Sequence, residues 1–73
     1  MLLSELKTNE VAIIKKVMAT GDVKSRLNSL GIVKNEKVKM LRFTLAKQTY
    51  EIEIGVVKVA LRKEEAEQVE VAK

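Results

Sequence analysis

The stretch that decides the fold reads Gly21-Asp22-Val23-Lys24-Ser25-Arg26-Leu27-Asn28-Ser29-Leu30-Gly31-Ile32. It is the one segment with a clear helical period, because Val23, Leu27 and Leu30 recur at spacings that bring them onto one face of a helix. A helix this short is marginal in isolation. The pattern therefore predicts a helix near residues 22–30 that packs this apolar stripe against the rest of the chain.

Both ends of this helix carry sequence signals. Gly21 leads into it, and Asp22 is predicted to cap the start, because its carboxylate can accept hydrogen bonds from the free N–H groups of the first turn. Gly31 stands where a left-handed residue after a helix is favoured. Ile32 can then contact Leu27, as in a Schellman ending. These residues, with Leu30, are interpreted as structural.

Strands are predicted around the helix. Alternating apolar residues indicate them at residues 11–18, 37–43, 50–54, 56–61 and 69–71. Lys15 interrupts the apolar face of the first strand, which predicts a bend or bulge, and Gly55 permits a tight turn between two others. Helix-forming residues predict a helical turn near 63–67. The chain is therefore predicted to be mainly β, a small closed β-barrel of about five strands in one domain, 1–73.

The composition excludes several kinds of chemistry. The chain has no His and no Cys, which removes disulfides, thiolate catalysis, zinc-finger patterns and histidine-based metal or acid–base sites. No carboxylates have the spacing of a calcium loop. We therefore predict no catalytic residue, no metal ligand and no cofactor. With no signal peptide and no apolar run long enough to cross a bilayer, we expect a soluble, cytoplasmic protein.

Charge is unevenly distributed along the chain. Residues 1–50 hold ten Lys and Arg against four acids, whereas residues 51–73 hold four against six. A basic half is compatible with nucleic acid, an acidic protein surface, an anionic membrane face or plain solvation. Lys24 and Arg26 lie off the apolar stripe with Asp22 as the only nearby acid, so local pairing does not explain them. They are either solvated charge or contacts to an acidic partner.

Five pieces of the chain, taken in order, carry a family resemblance. They are Leu3-Ser4-Glu5-Leu6-Lys7, Arg26-Leu27 with Leu30-Gly31-Ile32, Tyr50-Glu51-Ile52, Val59-Ala60-Leu61-Arg62-Lys63-Glu64-Glu65-Ala66 and Val69-Glu70-Val71. In this order and at these separations they resemble the ferrous iron transport protein A family (FeoA), small SH3-like barrels of bacteria and archaea. Two turns depart from the family pattern, since Asn9 and Asn35 stand where members have Gly after Pro. Asn tolerates positive φ, so we expect both to adopt it.

The resemblance implies a cytosolic accessory protein of ferrous iron uptake. It implies binding and modulation of FeoB, a membrane permease with a cytosolic G-protein domain, which would recruit the protein to the inner face of the membrane. The chain itself would be a monomer or a weak homo-oligomer and not an enzyme. The loop at Thr44, Leu45, Ala46 and Lys47 lacks the family's Gly or Pro. Together with Lys24 and Arg26, these are the candidate partner-binding residues.

A nucleic-acid-binding β-barrel is the alternative function. Small barrels bind nucleic acids, the first 50 residues are basic, and the family's barrel also occurs as an appended domain in iron-dependent repressors. Against this, Phe43 and Tyr50 are the only aromatic residues, and single-stranded nucleic acids are usually held by several stacked aromatic side chains.

Overall fold

One antiparallel sheet of five strands organises the chain. The computed structural model describes residues 1–44, 46 and 48–73. In chain order the elements are a short 3₁₀ turn (Leu3–Glu5), β1 (Val11–Val17), α1 (Gly21–Ser29), β2 (Lys37–Phe43), β3 (Thr49–Ile54), β4 (Val57–Arg62), α2 (Lys63–Ala66) and β5 (Val69–Ala72). The strands lie in the order β4-β3-β2-β1-β5. The mainly β architecture of five strands expected from the sequence is confirmed, with α1 and the helical turn where they were predicted.

Strand alternation identified the core correctly. Tyr50, Ile52 and Ile54 on β3 all point inward and are buried, as the alternation with glutamates predicted. Leu3 and Leu6 from the opening segment fill one end of the core and are also buried. Burial of these apolar side chains is the main stabilising term of such a small domain.

The predicted irregularity of β1 is present. The register of β1 against β5 shifts between Ile14 and Lys16, so Lys15 occupies a β-bulge. At this point β1 also changes neighbours. It pairs with β2 from Val11 to Ile13 and with β5 from Ile13 to Val17.

The two outer strands of the sheet are joined in sequence by a helix. In the described residues β4 and β5 pair with one neighbour each, β3 and β1 respectively. α2 connects β4 to β5, and its Ala66 is fully buried. Across the same described part of the chain, no helix is long and apolar enough to span a membrane.

The C-terminal end of α1 matches its prediction. The Ile32 N–H donates to the Leu27 carbonyl at 3.0 Å, and the Gly31 N–H donates to the Asn28 carbonyl at 3.0 Å. Gly31 has φ 91°. This is the double hydrogen bond of a Schellman ending, which requires a left-handed residue after the helix.

Two predictions about α1 were wrong. Its N-cap is Thr20 and not Asp22, because the Lys24 N–H bonds to the Thr20 carbonyl and places Asp22 inside the first turn. The apolar stripe is also shorter than predicted. Leu27 is buried and Leu30 packs on the core, but Val23 is 37% exposed. Only the C-terminal half of α1 rests on the core, so Val23 borders a polar groove instead.

The turns without Gly take the strained conformation expected of them. Asn9 has φ 71° and Asn35 has φ 76°, both positive as predicted. Ala46 has φ 67°, at a loop where the family often has Gly. The neighbouring candidate residues Leu45 and Lys47 lie outside the described residues. Gly55 has φ 61° and forms, with Val56, the two-residue turn between β3 and β4, a position where glycine is favoured.

Candidate partner-binding surface

Two grooves flank α1 on opposite sides. The first, here called the ion-pair groove, is lined by Val23, Gln48, Arg62, Glu64, Glu65 and Gln68. The second, the lysine groove, is lined by Lys15, Lys16, Val17, Lys24, Asn28, Val33 and Lys34. Of the two cations that the sequence suggested as a binding pair, Lys24 lines the lysine groove, whereas Arg26 lines neither groove and contacts Glu65 of the ion-pair groove.

Arg26 is tied to α2 through Glu65. Its guanidinium Nη1 donates to Glu65 Oε2, and the other carboxylate oxygen, Oε1, accepts the Arg62 N–H at 2.9 Å. Glu65 thereby caps α2 and at the same time joins it to α1. The Glu65 side chain is 11% exposed, whereas the Arg26 side chain is 49% exposed. The pair is thus buried on its acidic side and solvated on its basic side.

The environment of Glu65 holds it ionised. Burial acts to raise the pKa of its carboxyl, but the hydrogen bond from the Arg62 N–H and the ion pair with Arg26 outweigh that effect and lower the pKa below its ordinary value. A carboxylate with two charge-favouring donors is stabilised in its charged form. The pair therefore acts as an electrostatic link between α1 and α2 at pH values where Glu65 is ionised.

The sequence indicated no local acidic partner for Lys24 or Arg26 beyond Asp22, but it did not reveal a long-range partner of Arg26. Arg26 has Glu65, an acid 39 residues away in sequence, as its partner. Side chains two residues apart on an α-helix differ by about 200° in direction around the helix axis. Lys24 therefore points to the other side of α1 from Arg26 and lines the lysine groove. The structure therefore separates the two cations. Of the two, Lys24 is the one that forms no ion pair in the described residues.

The loop from Thr44 to Gln48 is joined to the ion-pair groove. The Thr44 N–H donates to the Thr49 carbonyl at 2.9 Å, and the Thr49 N–H donates to Thr44 Oγ1 at 3.1 Å, which closes the loop. The Lys63 N–H donates to the Gln48 carbonyl at 3.1 Å and ties the loop to α2. Gln48 therefore lines the same groove as Val23, while Lys24 lines the other groove.

Sequence reasoning missed the lysine groove. Its four lysines come from the bulge of β1, from α1 and from the turn before β2, so no local run of charge indicated them. The only available signal was the Lys15 interruption, because a bulge can direct neighbouring side chains to new positions.

Neither groove has the features of a metal centre. In the parts of the chain that the structure describes, no three His, Cys, Asp or Glu side chains are close enough together to hold a metal ion. The described buried polar side chains all have hydrogen-bond partners. The two grooves differ in charge, since one contains the acidic member of an ion pair and the other is lined by four lysines.

Comparison with known proteins places this arrangement in a family. The model of the FeoA domain matches residues 1–73. A protein of Campylobacter jejuni, named as a candidate Fe(2+) transport protein A, is 38% identical over 71 residues, covering 97% of this chain and 96% of its own length.

Solved structures agree with that result. FeoA from Chlorobium tepidum superposes with a TM-score of 0.91 at 36% identity, covering 99% of this chain and 69% of the other. FeoA from Stenotrophomonas maltophilia, solved with zinc and described as a prokaryotic SH3 domain protein, gives a TM-score of 0.85 at 33% identity over 97% of this chain and 88% of the other. A manganese-dependent transcriptional repressor, at 15% identity, shares the fold alone, with a TM-score of 0.90 over 99% of this chain and 40% of its own.

Proposed function

This chain belongs to the FeoA family, and from that premise we propose that it is an accessory protein of ferrous iron uptake that binds the cytosolic portion of a FeoB-type permease and modulates its G-protein domain. The match over the whole chain is the observation that carries the proposal. Action by contact, without catalysis, is consistent with grooves that are open and hold no described metal-ligating cluster. Such a protein would work in the cytoplasm and reach the membrane through its partner.

The candidate contact residues proposed from the sequence fall into three groups with different roles: Lys24, Arg26 and the segment 44–47. Lys24 has its charge free within the described part of the chain, so it can contribute to binding an acidic surface. Arg26 instead holds α1 against α2, and would influence binding by positioning the helix. Thr44, Leu45, Ala46 and Lys47 stay candidates for a second contact, because Gln48, the residue that follows them, lines the ion-pair groove.

The nucleic-acid alternative finds little support in the structure. Tyr50 is 3% exposed, and Phe43 packs against the core and lies with its ring centroid 5.9 Å from that of Tyr50. The Tyr50 ring is therefore buried and the Phe43 ring is partly buried, whereas small β-barrels that bind single strands usually gain affinity from several exposed stacking rings. The likeness to a repressor concerns the fold and carries no function.

Capture of the intact permease tests the proposal. The chain is immobilised and exposed to detergent-solubilised, full-length FeoB-type permease from the same source, with GTP, GDP or no nucleotide. We expect retention in at least one nucleotide state and a changed rate of GTP hydrolysis when the free chain is added. The matched negative control is an unrelated SH3-like barrel of similar charge. Retention no greater than that control in all three states, with unchanged hydrolysis, would reject the proposal.

A further inference from the structure

We propose that the lysine groove binds an extended acidic peptide segment that carries an apolar side chain between its carboxylates. The inference deepens the proposed function, because it names the chemistry of the partner segment, and it rests on that function only for the source of the segment. Three features of the groove support it: its charge, its apolar floor and the part of β1 that β2 leaves unpaired.

The charge of the groove is uncompensated. Lys15, Lys16, Lys24 and Lys34 are all exposed, and none of them forms an ion pair in the described part of the chain. Glu70 lies opposite Lys16 in the sheet register, and Asp22 and Glu36 are each two residues from a groove lysine in sequence. None of these acids forms an ion pair with a groove lysine in the described residues. Four like charges converging on one concavity create a local positive potential that attracts an acidic ligand.

The floor of the groove is apolar. Val17 is half-buried, with its other face packed against the core, and Val33 is 37% exposed. Lysine stems can also cover apolar surface while their ammonium groups stay in water. The groove thus offers a small hydrophobic contact surrounded by cations, which suits one apolar side chain flanked by carboxylates.

Val17, which lines the groove, lies in the part of β1 that β2 leaves unpaired. The Ile14 N–H donates to the Glu36 carbonyl and the Ile14 carbonyl accepts the Asn35 N–H, and beyond that point β1 pairs only with β5. Since the Met18 N–H donates to the Gln68 carbonyl on the β5 side, and backbone groups alternate between the two edges of a strand, the Val17 N–H and carbonyl point to the opposite edge. That edge can accept an added strand.

This combination favours a peptide over other anions. A lipid surface is too broad to reach the floor of a concave groove, and it supplies no strand to pair with Val17. A nucleic acid strand would bring phosphates to the lysines but would find no exposed aromatic ring there among the described residues. An extended peptide is the occupant that uses the charge, the floor and the edge together.

Binding of a synthetic probe tests the inference directly. The probe is a fluorescein-labelled peptide of four Glu-Val repeats, and its binding to the full chain is followed by fluorescence anisotropy at low and physiological salt. The groove variant carries Lys24→Glu and Lys34→Glu. The matched control carries Lys7→Glu and Lys37→Glu, which change the net charge equally at exposed positions outside the groove. Thermal melts show that both variants are folded.

The expected result separates the two variants. Reversing two of four groove charges should weaken probe binding by at least roughly tenfold at low salt, with a smaller difference at high salt. The control should bind within about threefold of the unchanged chain, since its charges act only at long range. A probe with proline in place of each central valine should bind more weakly, because proline cannot donate to the edge of β1.

Several outcomes would overturn the inference. Equal weakening in both variants would show general charge attraction, and no binding of the probe to the unchanged chain would reject the site. Tighter binding of phosphatidylglycerol vesicles or of a single-stranded oligonucleotide than of the probe would assign the groove to another class of ligand. If the permease is captured equally by the groove variant, the inference fails while the proposed function stands. If the probe binds but the permease is not captured, the inference stands and the proposed function fails.

Discussion

The two sides of α1 differ in how they use positive charge. On one side Arg26 meets a nearly buried carboxylate that is also held by a backbone N–H, and the cation becomes part of the fold. On the other side Lys24 meets three more lysines and no ion-pair partner in the described residues. Charges two residues apart on one helix can therefore have separate roles, one structural and one available for recognition.

The ion pair and the lysine groove also differ in their effect on the stability of the fold. A half-exposed ion pair usually stabilises a protein by only a small amount, but Glu65 would lose its compensation if its donors were removed, and buried uncompensated charge is costly. A groove of like charges contributes nothing to folding and slightly opposes it. Substitutions on the two sides should consequently change different measurements.

Removing Glu65 should have the largest effect on folding. Glu65→Ala leaves the Arg62 N–H without its acceptor and Arg26 without its partner. We expect a loss of about 2 kcal/mol in the free energy of unfolding, measured by urea denaturation. The matched control is Glu64→Ala on the same helical turn, which is exposed and should change stability by less than about 0.5 kcal/mol. Equal effects of the two substitutions would show that the link between α1 and α2 is not stabilising.

Removing Arg26 should have an intermediate effect. Arg26→Ala takes away one of two donors to Glu65, and because the guanidinium is about half in solvent we expect a loss of about 1 kcal/mol. In a double-mutant cycle with Glu65→Ala the two losses should not add, since both remove the same contact. Additive losses would show that Arg26 and Glu65 act independently.

The ion pair should also shape the dependence of stability on pH. The pKa of Glu65 is lower in the folded chain than its ordinary value of 4.5, so the unfolded chain binds more protons as the solution is acidified. Its stabilising contribution is present above that ordinary value and is lost as the pH falls through the folded pKa. Glu65→Gln should therefore flatten the fall in stability between neutral and acidic pH. A variant with the same acid dependence as the unchanged chain would contradict this.

The sequence was sufficient for features that depend on neighbours along the chain. The inward alternation of Tyr50, Ile52 and Ile54, the Schellman ending at Gly31 and the positive φ of Asn9 and Asn35 are all local, and each was predicted. Strand periodicity and turn chemistry depend on residues close together in the chain, so they can be predicted from the sequence alone.

Long-range contacts explain what the sequence did not reveal. Glu65 reaches Arg26 across 39 positions, and no local pattern pairs them. The same limitation hid the lysine groove, whose members come from three separate parts of the chain. The exposure of Val23 has a related cause. Helical spacing places it on the stripe with Leu27, but only the packing of α1 on the sheet decides how much of that stripe is covered.

Reversing the charge of Lys24 should have the smallest effect on folding and gives the sharpest contrast with Arg26. Lys24 lies in the first turns of α1, where a cation interacts unfavourably with the helix dipole and an anion favourably. Lys24→Glu should therefore leave stability unchanged or raise it by a few tenths of a kcal/mol, which corresponds to an increase of roughly 1–3 °C in Tm for a domain of this size. Arg26→Glu should lower the Tm, because it turns an ion pair with Glu65 into a repulsion. The measurement is thermal melting of both variants at low and high salt, where screening should reduce the two effects. If Lys24→Glu destabilised the protein as much as Arg26→Glu, Lys24 would also be a structural cation and the distinction between the two sides of the helix would fail.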